Sequence, residues 1–352
     1  MADKYDAAPK RGDETRAVGW FGEGRMMKSV ISYQLPVISY RSYLLLITVY
    51  CSLFTVFYGC ASTKKSELPK VQMDATELNQ RGVDAVSAGK YDKALIEFQG
   101  SLRLNASVDN QTGIAINLLN LGRLYLLMGR FDDAKAAFDR GLKIGASLND
   151  QMVLSEGYAS LGRYYYLIGN NNDAVAVLEK AVAIDRRQGF HTLGNRLNIM
   201  GMVYKDMDKA EDAEKLFNEA LKINKSYEME ADSADSFRGL GDILFKRGDY
   251  KKAGELYENA LSIDKRLGIS AKISIDLAAL GMASLKQNDA GKALDFFLRA
   301  YAVDSSRGAD KKALQDLDRI IEIYAALGDN NNKEKYSLER ERLLKKERDE
   351  KQ

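Results

Sequence analysis

Leu118–Phe138 reads LLNLGRLYLLMGRFDDAKAAF. Its key residues fall in the order L-x-x-L-G-x-x-Y-x-x-x-G-x-F-x-x-A-x-x-x-F. Leu118, Leu121 and Tyr125 lie three and four positions apart and so share one face of a helix. Gly122 leaves a gap on that face where a second helix can approach closely. Gly129 and Asp132-Asp133 break the first helix and cap the next, whose Ala134 and Phe138 are one turn apart and face back. The result is a helical hairpin. A lone hairpin cannot bury both of its faces, so it is stable only when copies stack.

Copies are present. The Gly122 position recurs as Gly82, Gly122, Gly162, Gly201, Gly241 and Gly281, whose numbers differ by 40, 40, 39, 40 and 40 in turn. In the same register stand Ala94, Ala134, Ala174, Ala213, Ala253 and Ala293, then Phe98, Phe138, Leu178, Phe217, Tyr257 and Phe297. One more such step reaches Ile321, with Leu317, Tyr324 and Gly328 in place but Lys333 and Ser337 where Ala and Phe belong. That seventh copy reads as a degenerate cap closing the end of a stack.

These columns resemble the tetratricopeptide repeat, a helix-turn-helix unit of about 34 residues. The resemblance implies an all-α, right-handed α-solenoid, here with repeats of about 40 residues, similar in length to those of kinesin light chain. The extra length is expected in the junctions between repeats, such as SVDNQTG at 107–113 and ASLNDQM at 146–152, where Gly, Asn and Asp do the breaking. The expected organisation is a disordered extension at 1–25, a signal or membrane segment at 26–60, a flexible tether at 61–74, six repeats at 75–313, and the cap with a charged final helix at 314–352.

Composition agrees with such a body. The chain has 352 residues, 45% hydrophobic and 29% charged, and its three prolines (Pro9, Pro36 and Pro69) all precede Val71. The formal charge is +2, and beyond residue 60 the two signs balance, which argues against a nucleic-acid interface. Cys51 and Cys60 both precede the repeats, so the body has neither disulfides nor thiol ligands.

The leading segment points to a membrane. Tyr43–Tyr58, YLLLITVYCSLFTVFY, is an uncharged apolar run behind Arg41, followed by Gly59-Cys60-Ala61-Ser62. A basic flank, a short apolar core and a small residue before a cysteine resemble a bacterial lipoprotein signal. The resemblance implies lipidation of Cys60 and cleavage before it, although Phe57 and Tyr58 depart from the usual lipobox. By the same resemblance, Ala61 and Ser62 favour the outer membrane over the inner one. An uncleaved anchor is the rival, its run falling short of the roughly 20 residues a spanning helix prefers. Translation starting at Met26 or Met27 would leave the upstream residues out of the protein.

Enzyme chemistry finds no foothold. The single histidine, His191, sits in a junction, and no metal-site, nucleophile-elbow or phosphate-loop motif occurs. The runs at 169–173 and 328–332, rich in Asn and Asp, lack the glycine and glutamate of a calcium loop and read as turns. No catalytic residue, metal or cofactor is assigned.

What remains is surface. The tetratricopeptide resemblance implies that the first helices of successive repeats line a concave groove for a partner peptide or helix. Groove-facing places lie three before, and one, four and five after, each reference glycine. Asn79, Arg123, Arg163, Tyr166, Asn198, Lys205, Arg238, Phe245 and Lys246 are the candidate binding residues, with Arg123 and Arg163 able to grip a carboxylate. The same register places Val83, Leu127, Leu167 and Met202 in the groove. The reading is a membrane-tethered scaffold of a bacterial envelope, facing the periplasm. Two alternatives stay open: a cytoplasm-facing adaptor on an uncleaved anchor, and a binder of glycan fragments through Tyr166, Phe245 and Asn198.

Overall fold

The computed structural model describes residues 69–349. The extension at 1–25, the signal segment at 26–60 with Cys60, and the tether up to residue 68 lie outside the described residues.

Fourteen helices make up the described residues, and no strand occurs among them. In chain order they are α1 (Lys70–Ser87), α2 (Tyr91–Ser107), α3 (Gln111–Leu127), α4 (Phe131–Ser147), α5 (Gln151–Leu167), α6 (Asn171–Gln188) and α7 (Leu193–Asp206). There follow α8 (Ala210–Ser226), α9 (Glu230–Lys246), α10 (Tyr250–Leu267), α11 (Ser270–Lys286), α12 (Ala290–Ser306), α13 (Asp310–Ala326) and α14 (Asn330–Asp349). Each odd-numbered helix pairs with the next even one as a hairpin, and each hairpin packs on its neighbours, giving an α-solenoid. Odd-numbered helices also touch one another in succession from α1 to α9, so they form the inner layer.

The three columns do the packing that their chemistry requires. Each alanine from Ala94 to Ala293 is fully buried, and the bulky residue four positions later is at most 3% exposed. A Cβ built on any of the six reference glycines would fall under 3.0 Å from that bulky side chain of the same hairpin. The glycine gap is therefore the seat of the ring, or of Leu178 in the third copy. In the seventh hairpin the two roles exchange: Ile321 is large and Ser337 small, while Tyr336 stacks on Tyr324 with centroids 5.6 Å apart. The final charged stretch is one continuous helix, α14, which packs Tyr336 and Leu343 inward and leaves Leu338 exposed.

The extra length does not sit in the junctions. Most helices have 17 residues. Eleven of the thirteen turns have three, whether inside a hairpin or between hairpins, so longer helices account for the longer repeat. The one shorter step, from Gly162 to Gly201, falls at the junction holding His191, where α7 is shortened to 14 residues. Every turn holds one residue at positive φ. It is Gly in eight turns, and Asp109, Asn149, Asp208, Glu228 or Asn288 in the rest. The turns close as at Arg130, whose N–H reaches back to the Tyr125 carbonyl at 2.8 Å, satisfying a carbonyl at the helix end. The Asn-rich runs are caps: Asn170 accepts from the Asp173 N–H at 3.4 Å, and Asp329 from the Asn332 N–H at 3.1 Å. The first helix starts at Lys70, directly after Pro69, so the last part of the expected tether, from 70 to 74, is helical.

The candidate concave binding face

The inner layer can offer a ligand only those groups it does not spend on itself. A polar chain crosses its first four helices. Asn120 on α3 donates to Asn79 on α1 at 2.7 Å and accepts from Arg123 at 2.6 Å. Arg123 in turn donates to Glu156 on α5 at 2.9 Å. The other oxygen of Glu156 is held by Arg196 on α7. Burial pushes the Glu156 carboxyl up, but Arg196 and Arg123 outweigh it and hold it below the usual range. Arg196 also lies 3.5 Å from Asp185 on α6, a fully buried carboxylate that accepts from Ser155 and Thr192.

The later helices are tied in the same way. Tyr166 on α5 donates to Asp206 on α7 at 2.6 Å, and burial together with that bond raises its pKa. Lys205 pairs with Asp242 on α9, which also accepts from Tyr257 at 2.9 Å. Lys246 reaches Asp208 at 3.0 Å. Apart from the Tyr257–Asp242 bond, which lies within one hairpin, these bonds run from one repeat to the next, so they brace the stack while pairing off charge on its inner face.

Two expected groove residues are turned inward. Asn198 is 3% exposed, donates to the Asp232 carbonyl at 2.7 Å and accepts from Ser236. It is spent on the α7–α9 junction and is not free to bond a peptide backbone. Arg238 is enclosed by Asp235, Asp264 and Asp276, each at 2.6 Å. Burial alone would lower its pKa, but these carboxylates hold it above the usual value. Phe245 is half-buried, edge-on to Tyr250 at 5.2 Å.

Arg163 stands apart. It makes no hydrogen bond and no ion pair among the described residues. Its side chain is exposed in the groove, and the surrounding concave wall partly desolvates it. That desolvation, with the like charge of Arg123, lowers its pKa. The expected Arg123–Arg163 pair is thus one committed guanidinium and one free one. Arg163 borders a cavity of about 370 Å³ whose floor is Phe98 and Leu124 and whose walls are Val83, Leu127 and Leu167. Leu127 and Leu167 are 54% and 53% exposed. Sequence register places these apolar residues in the groove, but nothing in the pattern singles out their exposure. Nor does it find Asn120, Glu156, Asp232 or Asp276 as the partners that consume the polar candidates.

Two family models described as tetratricopeptide repeat match the chain, one at residues 73–146 and 232–306, the other at 155–188 and 196–227. No curated protein matches it. Among solved structures, a Signal Transduction ATPase with Numerous Domains (STAND) protein with a tetratricopeptide repeat sensor, from Pyrococcus horikoshii, aligns over 80% of this chain with a TM-score of 0.59 and 20% identity. The chain spans 44% of that protein. The apo form of RapI aligns over 77% of each chain with a TM-score of 0.58 and 16% identity. A Rap protein complexed with Competence and Sporulation Factor gives 0.57 and 15% identity over 77% of this chain and 76% of that one. Each of these is a likeness of fold.

Proposed function

Because the chain belongs to the tetratricopeptide-repeat proteins, we propose that it is a non-catalytic scaffold that takes up a partner protein on the concave face of its first repeats. The carrying observation is the cavity beside Arg163, an apolar surface that the fold leaves open while it pairs off most of the polar groups around it. Solvent-exposed leucines cost free energy unless something covers them, at roughly 25 cal/mol per Å² of apolar area. The Rap complex with its factor supports the reading as a protein of similar fold seen with a partner.

The tether belongs to the same proposal. Lipidation at Cys60, after the apolar run 43–58, would hold the scaffold on the periplasmic side of a bacterial envelope membrane, with the outer membrane favoured. Intact mass and membrane partitioning, beside Cys60→Ala, test this half: a mature chain starting at Cys60 with acyl mass supports it, and an uncleaved chain indifferent to the change overturns it. The glycan alternative has lost most of its contacts, since Tyr166 is bonded to Asp206 and Asn198 is buried.

The binding half is tested by photo-crosslinking in the host cell from Leu127 on the concave face and from Ile96, 66% exposed on α2. One discrete protein adduct from Leu127 and none from Ile96 is expected. Equal labelling from both positions, or none from Leu127, would defeat the reading.

A further inference from the structure

The geometry points to the chemical class of the partner: an internal segment of a protein that places one acidic side chain on Arg163 and apolar side chains in the adjoining cavity and stripe. This rests on the binding proposed above and deepens it. Arg163 is a planar, permanently charged donor without an acceptor, exposed in a groove whose wall partly desolvates it and sets Arg123 and Arg196 nearby. Arg123 and Arg196 share the Glu156 carboxylate, and Arg196 has Asp185 as well. The carboxylates that act on it from a distance do not bond it: Asp235 is held by Arg238 and Lys272, and Asp232 accepts from the Asn195 amide at 2.6 Å. A ligand carboxylate would therefore supply what the fold withholds, through a two-pronged charge-assisted bond.

Apolar surface lies on both sides of that charge. Val83 on α1 and Leu127 on α3 precede it, Leu167 stands one turn away on the same α5, and Met202 on α7 follows it, each between 38% and 54% exposed. A chain terminus would stop at the guanidinium and leave Met202 on the next inner helix uncovered. An internal segment covers both sides, so the ligand continues past Arg163 in both directions.

The test is unbiased selection on the full chain from two displayed peptide libraries, one with both peptide ends joined to carrier protein and one with a free C-terminus. Binders are sorted by whether Leu127→Asp abolishes them. Expected is enrichment, in the internal library, of Asp or Glu flanked by apolar residues. Arg163→Ala should then weaken the selected peptide tenfold or more, about 1.4 kcal/mol, with circular dichroism and Tm unchanged. Replacing the acidic residue by its amide should weaken binding to the parent by the same factor and to Arg163→Ala not at all. Selected peptides without an acid, or indifferent to Arg163→Ala, overturn the assignment and leave groove binding standing. Enrichment confined to free C-termini overturns it in favour of a terminal carboxylate. Binders all indifferent to Leu127→Asp remove the groove reading itself.

Discussion

Arg238 on α9 donates through Nη2 to the Asp264 carboxylate on α10 at 2.6 Å, and that carboxylate has no solvent exposure. The same guanidinium holds Asp276 on α11 at 2.6 Å, so three consecutive helices meet on one cation. Taking away one partner of such a group leaves the others charged and buried, which costs about 3–5 kcal/mol. Arg238→Ala should destabilise the protein by about that much at neutral pH in urea melts, far more than an ordinary surface change. A loss under about 0.5 kcal/mol would mean the cluster is solvated.

Burial pushes the Asp276 carboxyl up to about 7, against the pull of Arg238, and Asp316, buried near Asp304, up to about 7 as well. Asp276 and Asp264 each keep one buried oxygen without a partner, a position one shared proton would fill. A raised carboxyl binds its proton in the folded state where the unfolded chain has released it. Stability from these groups is thus fully present at acid pH and declines as pH rises from about 4 towards 7. Tm should fall between pH 5 and pH 7, and Asp276→Asn should flatten that slope. An unchanged slope in the variant would show that Asp276 is ionised throughout.

Neighbouring residues separate packing from binding. A Cβ on Gly162 would lie 2.5 Å from Leu178 Cγ, so Gly162→Leu should overpack the hairpin and cost about 1–3 kcal/mol or more. Arg163→Ala, with no bond to lose, should stay within about 0.5 kcal/mol. Equal losses in chemical denaturation would put the inner and packed faces in the wrong register.

Glu228 takes φ 56° in the turn between α8 and α9, where eight of the other turns use Gly and four use Asp or Asn. An L-residue in that region carries roughly 1–2 kcal/mol of steric cost, offset in part by the greater freedom glycine has when unfolded. Glu228→Gly should therefore raise stability modestly, by about 0.5–1 kcal/mol, and differential scanning calorimetry should register a higher Tm. A lower Tm would assign the side chain a role in the turn.

The repeat is legible because steric complementarity writes itself into composition: where Gly82 or Gly281 is missing a side chain, Phe98 or Phe297 supplies one, and the pairing recurs in every copy between them. Even the seventh copy obeys this, with Ile321 and Ser337 trading sizes. The excess over the usual repeat length is not legible in the same way, because Gly, Asn and Asp mark where a helix stops without telling how long it has run. Groove register has a different blindness. It says which way a Cβ points, but Asn198 and Arg238 are long or polar enough to bend toward Asp232 and Asp276 on the next inner helix. Those partners lie 34 and 38 positions downstream and leave no periodic mark of their own.

Apart from the turns at 189–192 and 268–269, the turn inside a hairpin and the turn between hairpins are built alike, three residues with one left-handed, so the chain carries little punctuation that says where a module begins. One repeat's length of chain could be excised from a turn to its equivalent and the ends would meet in matching conformation. What distinguishes one splice from another is side-chain chemistry at the seams. Five seams bury Asn105, Asp185, Asn224, Asp264 or Asp304, whereas Gly145 meets Val153 with no charge or amide between them. Copies are interchangeable as backbone and individual as neighbours, and a shortened or lengthened array would keep its order only where each polar seam is rejoined to the partner it was built for.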